Sequence, residues 1–438
     1  MQGLVILTTS WIVIRVVMFL PGLKEVGRSI GMNGRAALLF LLPLLATFLG
    51  SREAANLSGD MPGPLRVIRA IVYVIVFCHA FFFISTHHKV FKYSGKNIKF
   101  MLLYGVIAMA SSIWSIGPFI SFWKGFEVFS IVLSIMGISY YLETVEDVLK
   151  AINLVIYSIL YIIITVLVGF ILFPGDATVY SESGSMQVNG IVPLLNSSSV
   201  GSLGALLFTT SFIKFFIVTD VKYKNFGNNV IMAISILALY LGHSRTPIFA
   251  SLIVIGVFLL ISRRYILVAV SSCLGSVVIV FSSLSESVTS YMLRGQTTES
   301  FSNLTGRVHF WEKAWSGFID SPFIGHGFYA AQRLIFGVST VDNTYLEVLL
   351  GVGIFGFVIF VTPVFISLHH IFTTRPKQKV MSKQSIAWLQ IMAFFLIIVI
   401  RSFTAPSFQV MHPLLVIYST SLVCIYALKR ISINERIS

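Results

Sequence analysis

The sequence predicts an all-α polytopic membrane protein with about 12–13 transmembrane helices and one large external, periplasmic loop. Of its 438 residues, 56% are hydrophobic and only 11% are charged, whereas soluble domains average about 25% charged residues. Apolar runs recur along nearly the whole chain, and each is long enough to cross a hydrocarbon core of about 30 Å. These runs are continuous and do not alternate, which excludes a transmembrane β-barrel.

Hydropathy divides the chain into thirteen candidate spans. In chain order they cover roughly 3–21, 36–50, 66–85, 98–115, 118–142, 151–173, 193–219, 228–242, 246–262, 264–283, 341–366, 386–404 and 408–428. The second span is short and contains Pro43, so a count of twelve stays open. No basic region or clear cleavage site accompanies the first run, so we expect a retained helix there and not a signal peptide.

Basic residues set the orientation of these spans through the positive-inside rule. The rule assigns to the cytoplasm the tail after Lys429-Arg430 and four connections, which carry Lys89/Lys92/Lys96/Lys99, Lys222/Lys224, Arg263/Arg264 and Arg375/Lys377/Lys379/Lys383. The segments 174–192 and 284–340 then lie outside. The same rule accounts for the net charge of +14 without nucleic acid as a partner.

The external segment 284–340 is too long to be a simple turn and is rich in aromatic residues, so we expect it to be ordered. Four of its apolar residues fall at helical spacing: Val308, Trp311, Trp315 and Phe318. They predict an amphipathic helix over about 306–319, with its Trp pair at the membrane interface. Because no internal repeat or soluble composition is visible, residues 1–438 are expected to form a single integral membrane domain.

Cations are scarce on the outer side, and charges near membrane depth are functional candidates by default. The spans place there Lys124, Arg245, Arg307 and Arg401, with Arg69, Arg294 and Arg333 near the same face. Lys124 can instead pair with Glu127 one turn later, and Arg245 and Arg401 can snorkel to the interface. A cluster of guanidiniums suits a lipid-linked phosphate or diphosphate, because arginine offers planar bidentate donors.

Other chemistries find little support in the sequence. It contains no P-loop and no glycine-rich dinucleotide turn after a predicted strand. The adjacent pairs His87-His88 and His369-His370 point in different directions on a helix, and Cys78, Cys273 and Cys424 lie inside apolar runs. We therefore expect neither a cofactor nor a metal site.

Four stretches together resemble the O-antigen ligase and O-antigen polymerase (Wzy-type) superfamily of membrane glycosyltransferases. They are SSIWSIGPFISFWKGFEVF at 111–129, NSSSVGSLGALL at 196–207, HSRTPIFA at 243–250, and TGRVHFWEKAWSGFIDSPFIGHGF at 305–328 followed by DNTYLEVLLGVGIFG at 342–356. Each motif alone is weak, whereas their order and spacing are specific. The resemblance extends over about 100 to 428.

The resemblance implies an inverting, metal-independent glycosyltransferase that uses undecaprenyl-pyrophosphate-linked oligosaccharides at the outer face of the bacterial inner membrane. By the same resemblance, Arg245 and Arg307 hold the donor pyrophosphate, and a residue at the end of the loop activates the acceptor hydroxyl. Ligases typically have His before the Asn at that position. This chain has Asp342-Asn343, which favours an O-antigen, capsule or exopolysaccharide polymerase over a ligase.

These considerations assign Asp342, Arg245 and Arg307 to catalysis. The expected substrate contacts are Lys124, Arg401, Asn343, Glu347, His326 and Trp311. A carboxylate in a dry environment can act as a general base, but Asp342 can also simply cap its helix. Glu347 can contact sugar or pair within the bundle, and His326 is a second candidate base.

Two alternatives remain beside the polymerase, for which lipid-linked donor and acceptor, the bilayer and a chain-length regulator are the expected partners. The first is a ligase of the same chemistry, whose acceptor is a lipopolysaccharide core or a protein. The second is a lipid-linked oligosaccharide flippase, which would need mid-span charges and two related halves. Only Arg15 and Lys214 are candidates for such charges.

Overall fold

The computed structural model describes residues 31–49, 64–180, 186–191, 193–218, 226–265, 307–335, 340–375, 382–407 and 412–437. These residues are almost entirely helical. We label the helices in chain order as α1 Gly34–Phe48, α2 Pro64–Thr86, α3 Lys89–Tyr93, α4 Lys96–Ala110, α5 Pro118–Ile138, α6 Val145–Leu172, α7 Pro174–Ala177, α8 Ser197–Phe212, α9 Phe226–Gly242, α10 Arg245–Ile261, α11 Arg307–Asp320, α12 Ala330–Leu334, α13 Thr344–Thr373, α14 Lys383–Arg401 and α15 Pro413–Ile437.

The all-α polytopic class predicted from hydropathy is confirmed. Each predicted span that falls on described residues coincides with a helix, and seven of these helices are long and apolar enough to cross a membrane. Three more apolar helices, α1, α9 and α10, are shorter. The span 3–21 and nearly all of 264–283 lie outside the described residues, so the total of 12–13 helices stays a prediction.

The long helix α15 lies at the centre of the bundle. In its apolar window 83% of the residues are buried, against 33% for α2 at the periphery. It contacts α1, α4, α5, α6, α13 and α14, and Leu414, Ile417 and Tyr418 are at most 1% exposed. The other spans pack around it and leave large apolar side chains on the outside, as lipid contact requires.

Helix α6 begins earlier than predicted, because its first turn contains charged residues and hydropathy does not detect it. The apolar run begins at 151, whereas the helix begins at Val145. Thr144 accepts a hydrogen bond from the backbone N–H of Asp147, and the Asp147 carboxylate accepts one from the N–H of Thr144. This capping box stabilises a first turn that hydropathy does not detect.

The segment before α13, which is predicted to be external, includes a stretch that returns into the bundle. Helix α13 is broken at Gly353, which has φ 63° and ψ −169°. Residues 322–328, PFIGHGF, fill the break: the N–H of Ile354 donates to the Pro322 carbonyl at 2.8 Å, and that of Gly327 to the Gly351 carbonyl at 2.9 Å. Since Gly353 lies nine residues after the start of α13, the break is about 14 Å along the helix. We call 322–328 the re-entrant segment.

Glycine is required on both sides of this contact. A Cβ at Gly353 would lie 2.3 Å from the backbone of Phe323, and one at Gly325 would lie 2.6 Å from the backbone of Gly351. Both residues also have φ above 60°, a region that side chains disfavour. The glycines of PFIGHGF and GVGIFG therefore allow two backbones to exchange hydrogen bonds at membrane depth, where unpaired groups are costly.

The other segment predicted to be external, 174–192, contains a small hairpin. Strands β1 Thr178–Tyr180 and β2 Met186–Val188 pair antiparallel, with Thr178 opposite Val188. Lys214 lies in a π-helical turn, Ile213–Ile217, after the last α-helical residue of α8. The interpretation of Lys214 as a mid-span charge is therefore wrong, because it lies at the end of its helix. Arg15 lies outside the described residues.

Candidate active site

The beginning of α13 is capped by the amide of the Asp342-Asn343 pair and not by the acid. Asn343 Oδ1 accepts hydrogen bonds from the backbone N–H groups of Tyr345 at 3.0 Å and Leu346 at 3.2 Å. These donors belong to the first turn, which has no intrahelical acceptors. The interpretation of Asp342 as the N-cap is therefore wrong. Its carboxylate makes other contacts, while the Asn343 side chain that was expected to bind substrate holds the helix start.

The Asp342 carboxylate faces the first residue of α11. Arg307 Nε lies 3.3 Å from Asp342 Oδ2, and Thr340 Oγ1 donates to Asp342 Oδ1 at 2.9 Å. Asp342 has φ 56°, a left-handed conformation that non-glycine residues adopt mainly where their surroundings enforce it. The Arg307 and Asp342 side chains keep 29% and 39% of their surface exposed, so a ligand can reach both.

Two further arginines surround this pair. Arg245 is the first residue of α10 and interacts electrostatically with Arg307. Arg401, the last residue of α14, interacts with the charges of Asp342 and Arg307. We call Arg245, Arg307, Arg401 and Asp342 the outer charged cluster. Among the described residues, the cluster brings three cations and one carboxylate together where α10, α11 and α13 begin and α14 ends, an arrangement that suits an anion.

Arg401 serves the cluster from inside the protein. It is only 1% exposed, so the interpretation that it snorkels to the interface is wrong. Its Nη1 donates to the Pro406 carbonyl at 2.9 Å and to Ser407 Oγ at 3.0 Å. These bonds close the turn after α14, so Arg401 supports the site structurally and adds positive charge.

That turn connects the starts of α10 and α13. The Thr344 N–H donates to the Ser402 carbonyl at 3.0 Å, and Thr344 Oγ1 donates to the Ala405 carbonyl at 3.1 Å. Thr404 Oγ1 donates to Thr246 Oγ1 at 3.0 Å. The residues after Arg245 and after Asp342 are thus held by one turn, which fixes the spacing of the cluster.

Glu347 lies one turn into α13 and contacts the segment that carries Asp342. Its Oε1 accepts a hydrogen bond from the Val341 N–H at 2.8 Å. The side chain also lines a small pocket with Tyr104, Tyr329, Gln332 and Thr344. Glu347 therefore positions the backbone beside Asp342, and its contact with sugar stays a prediction.

Lys124 lies away from the outer charged cluster, in an ion pair of its own. Its Nζ is 2.9 Å from Glu127 Oε2, the pairing that the i,i+3 spacing predicts. Arg69 Nη2 lies 3.0 Å from Glu127 Oε1, which also accepts from Trp123 Nε1 at 2.7 Å. We call Arg69, Lys124 and Glu127 the buried triad, since none is more than 7% exposed. Sequence reasoning missed Arg69 as the second partner, because the contact joins two helices.

His326 is part of the re-entrant segment. Its Nε2 lies 2.7 Å from the Gly317 carbonyl near the end of α11. A carbonyl oxygen only accepts, so Nε2 carries the proton in this contact. The hydrogen bond ties α11, which begins with Arg307, to the segment that fills the break in α13. His326 thus has a clear structural role, and its role as a base stays a prediction.

Trp311 belongs to a small apolar cluster beneath α11. It packs, partly buried, against Ala314, Ala331, Val341 and Leu350. Trp315 is 50% exposed, and the position of the Trp pair at the membrane interface stays a prediction. Of the two, Trp315 offers the larger free surface, whereas Trp311 packs against the cluster that includes Val341.

One polar network of the site escaped sequence reasoning. Ser199, near the start of α8, places its Oγ 2.5 Å from His412 Nε2 and also bonds Asn196 Oδ1. The Leu414 N–H donates to His412 Nδ1 at 3.1 Å, so Nε2 carries the proton of the neutral ring and donates to Ser199. His412 therefore cannot take the Ser199 proton in this arrangement. The Asn-Ser run 196–199 was noted, but nothing in the sequence pairs it with residue 412.

Among the described residues, no group of three or more His, Cys, Asp and Glu side chains could hold a metal ion.

Residues 230–361 match the family model described as O-antigen ligase. This part of the chain is thus similar to proteins of the O-antigen ligase type. This confirms the resemblance seen in the sequence motifs. The matched range contains Arg245, Arg307, His326, Asp342 and Glu347, and it leaves out Lys124 and Arg401. A comparison with curated proteins found no match. Members of this family are membrane enzymes of glycosyltransferase type, so the outer charged cluster is the natural place to look for transfer chemistry.

Proposed function

We propose that this O-antigen ligase-type protein is a polysaccharide polymerase. It transfers a growing glycan from an undecaprenyl-pyrophosphate carrier to the next lipid-linked repeat unit, at the outer face of the inner membrane. The observation that carries the proposal is the Arg307–Asp342 contact of 3.3 Å beside Arg245. It puts a carboxylate for the acceptor hydroxyl next to cations for the departing diphosphate.

Charge distribution supports an outward-facing site. The cluster lies where α10 and α13 begin and α14 ends. The opposite ends of these helices carry Arg263-Arg264, Arg375 and Lys383, which the positive-inside rule assigns to the cytoplasm. Lipid-linked glycan that has reached the outer leaflet would meet the cluster directly.

The transfer is a single displacement at the anomeric carbon of the donor. The acceptor oxygen forms its bond to this carbon as the bond to the phosphate oxygen breaks, and the configuration inverts. The hydroxyl proton passes to the Asp342 carboxylate, and the electron pair leaves with the lipid diphosphate. Arg245 and Arg307 stabilise the charge that develops on the leaving oxygen, as a metal ion does in other transferases.

The resting contact suggests how the base becomes available. Arg307 and Thr340 occupy both Asp342 oxygens in the free protein. A diphosphate offers Arg307 a stronger, bidentate partner, so donor binding would draw Arg307 away from Asp342. The carboxylate could then accept a proton from the acceptor, which predicts that the donor binds first.

A ligase remains the second candidate, because the matching family model is described as O-antigen ligase. The two differ in acceptor and not in chemistry. In a ligase, the acceptor would be a lipopolysaccharide core or a protein.

Glycan products of a deletion strain distinguish these functions. We expect lipid-linked single repeat units to accumulate, and wild-type protein to restore the polymer ladder. Full-length polymer that is not attached to its final acceptor would instead identify a ligase. Repeat units retained in the inner leaflet, inaccessible to an external glycosidase, would identify a flippase.

A further inference from the structure

The buried triad lies next to a second group of side chains, Tyr329 and Arg333. Tyr329 follows the re-entrant segment and has φ 63°, again a left-handed conformation that its surroundings must enforce. Lys124 Nζ lies 5.5 Å from the centre of the Tyr329 ring, and the Arg333 guanidinium lies 4.7 Å from it. Arg333 Nη2 also donates to Tyr329 Oη at 3.3 Å. One aromatic ring thus holds two cations near each other.

These groups carry more positive than negative charge. Arg69, Lys124 and Arg333 are cations, and Glu127 is the acid that pairs with two of them. Burial raises the pKa of the Tyr329 phenol, so the ring adds no negative charge at neutral pH. Among the described residues, the acids near these three cations are Glu127 and Glu347, which acts electrostatically on Tyr329, and Arg333 forms an ion pair with neither. Excess charge at membrane depth is costly unless an anion balances it.

Arg333 is the accessible member of this group. It is partly buried, and its Nε has no hydrogen-bond partner among the described residues. Its helix α12 lies over the outer end of α5, since a Cβ at Gly117 would meet Leu334 at 2.7 Å and Ala330 at 3.3 Å. An anion that arrives from the outer leaflet would meet Arg333 first, with Lys124 below it.

We propose that Arg333 and Lys124, which both lie against the Tyr329 ring, bind the diphosphate of the acceptor lipid. This inference rests on the proposed polymerase function, in which both substrates carry a lipid diphosphate. The outer charged cluster takes the donor diphosphate beside Asp342, and the second subsite holds the acceptor carrier. The small pocket of Tyr104, Gln332 and Glu347 lies on the Tyr329 side, where the first acceptor sugar would emerge.

The test compares two acceptors in proteoliposomes of neutral phospholipid. Both carry the same repeat unit, one on a polyprenyl diphosphate and one on an uncharged alkyl chain. The donor is a lipid-linked glycan whose far end is blocked, so it can only donate. For wild-type protein, we expect a KM for the diphosphate acceptor at least about tenfold lower than for the alkyl acceptor, the ratio that one charge-assisted contact of about 1.4 kcal/mol produces.

Variants at the subsite should lose this preference while they keep transfer. For Arg333→Gln and Lys124→Met, we expect the KM for the diphosphate acceptor to rise until the KM ratio falls below about twofold, whereas the KM for the alkyl acceptor should stay within about threefold of its wild-type value. Arg333→Lys keeps the charge and should keep the preference. Lys313→Gln, which removes an exposed cation from α11, is the matched control and should leave the ratio unchanged.

Two results would overturn the inference. One is an unchanged KM ratio in Arg333→Gln protein that folds and transfers normally. The other is a wild-type ratio that disappears when anionic phospholipid is added, which would assign the subsite to a lipid headgroup. Failure of the polymerase proposal itself would look different, because wild-type protein would then transfer glycan to neither acceptor.

Discussion

Two groups of charged residues on the outer half of the protein share a composition and differ in burial. The outer charged cluster contains three arginines and one acid, Asp342. The buried triad, taken together with Arg333, contains three cations and one acid, Glu127. Arg307 and Asp342 remain 29% and 39% exposed, whereas the Arg69 and Glu127 side chains are 8% and 0% exposed. Exposed ion pairs exchange partners at little cost, and buried pairs do not. The first group can therefore serve chemistry, while Glu127 ties α5 to Arg69 of α2.

The strongest test of this contrast removes the acid of the buried triad and compares the loss of stability with that of an exposed acid. Glu127→Gln removes the buried carboxylate that pairs with both Arg69 and Lys124, and should lower the free energy of unfolding by about 3–5 kcal/mol. Thermal unfolding in detergent would measure this loss. Glu312→Gln, at an exposed position of α11, is the control. Equal stability of the Glu127 and Glu312 variants would contradict a structural role for the triad.

Substitution of an arginine in the outer charged cluster should have the opposite effect: it should lower the rate of transfer and leave stability nearly unchanged. Arg307→Ala removes a stabilising contact for the leaving diphosphate, and should lower kcat roughly 100- to 1,000-fold. Because Arg307 is partly exposed, its loss should leave unfolding nearly unchanged. Transfer assays with purified protein and lipid-linked donor would measure the rate. Arg245→Ala should behave alike, and a full polymer ladder from either variant at normal protein level would refute the diphosphate assignment.

The connection between the two groups can be tested at Gly353. Gly353→Ala places a Cβ 2.3 Å from the Phe323 backbone at a residue with φ 63°, so the re-entrant segment must shift. We expect a loss of about 1–3 kcal/mol in stability. Gly256→Ala, in α10 with nothing within 4 Å of the new Cβ, is the matched control. If both variants unfold alike, the segment does not depend on the break.

The smallest expected effect distinguishes the role of Asn343 from that of the adjacent Asp342. Asn343→Ala removes the cap of α13 and should cost about 1 kcal/mol of stability, whereas Asn343→Asp should keep the cap. Both variants should retain polymer synthesis, since the chemistry is assigned to Asp342. Thermal unfolding and the product ladder would be measured on the same samples. Loss of polymer from well-folded Asn343→Ala would move a substrate contact to this residue.

Sequence reasoning located the membrane spans, because continuous apolar patterns determine them. Spans such as Pro64–Thr86 and Thr344–Thr373 follow from hydropathy because a bilayer demands long apolar helices. The sequence placed Arg307 and Asp342 at one membrane face, but it gave no distance between them, because their contact depends on how the loop folds back. What depends on backbone conformation was not predictable: the cap at Asn343, the turn that buries Arg401, and the glycine-mediated contact at Gly353. Helix-to-helix partners such as Arg69 and Glu127 also require the packing itself.

The most direct measurement is a gel of glycan products from a deletion strain that carries either wild-type protein or Asp342→Asn at equal level. The substitution keeps the shape of the side chain and removes its ability to take a proton. Our account predicts a polymer ladder with wild type and only single repeat units with Asp342→Asn. An unaltered ladder from Asp342→Asn would contradict it, and would leave His326 as the next base to test.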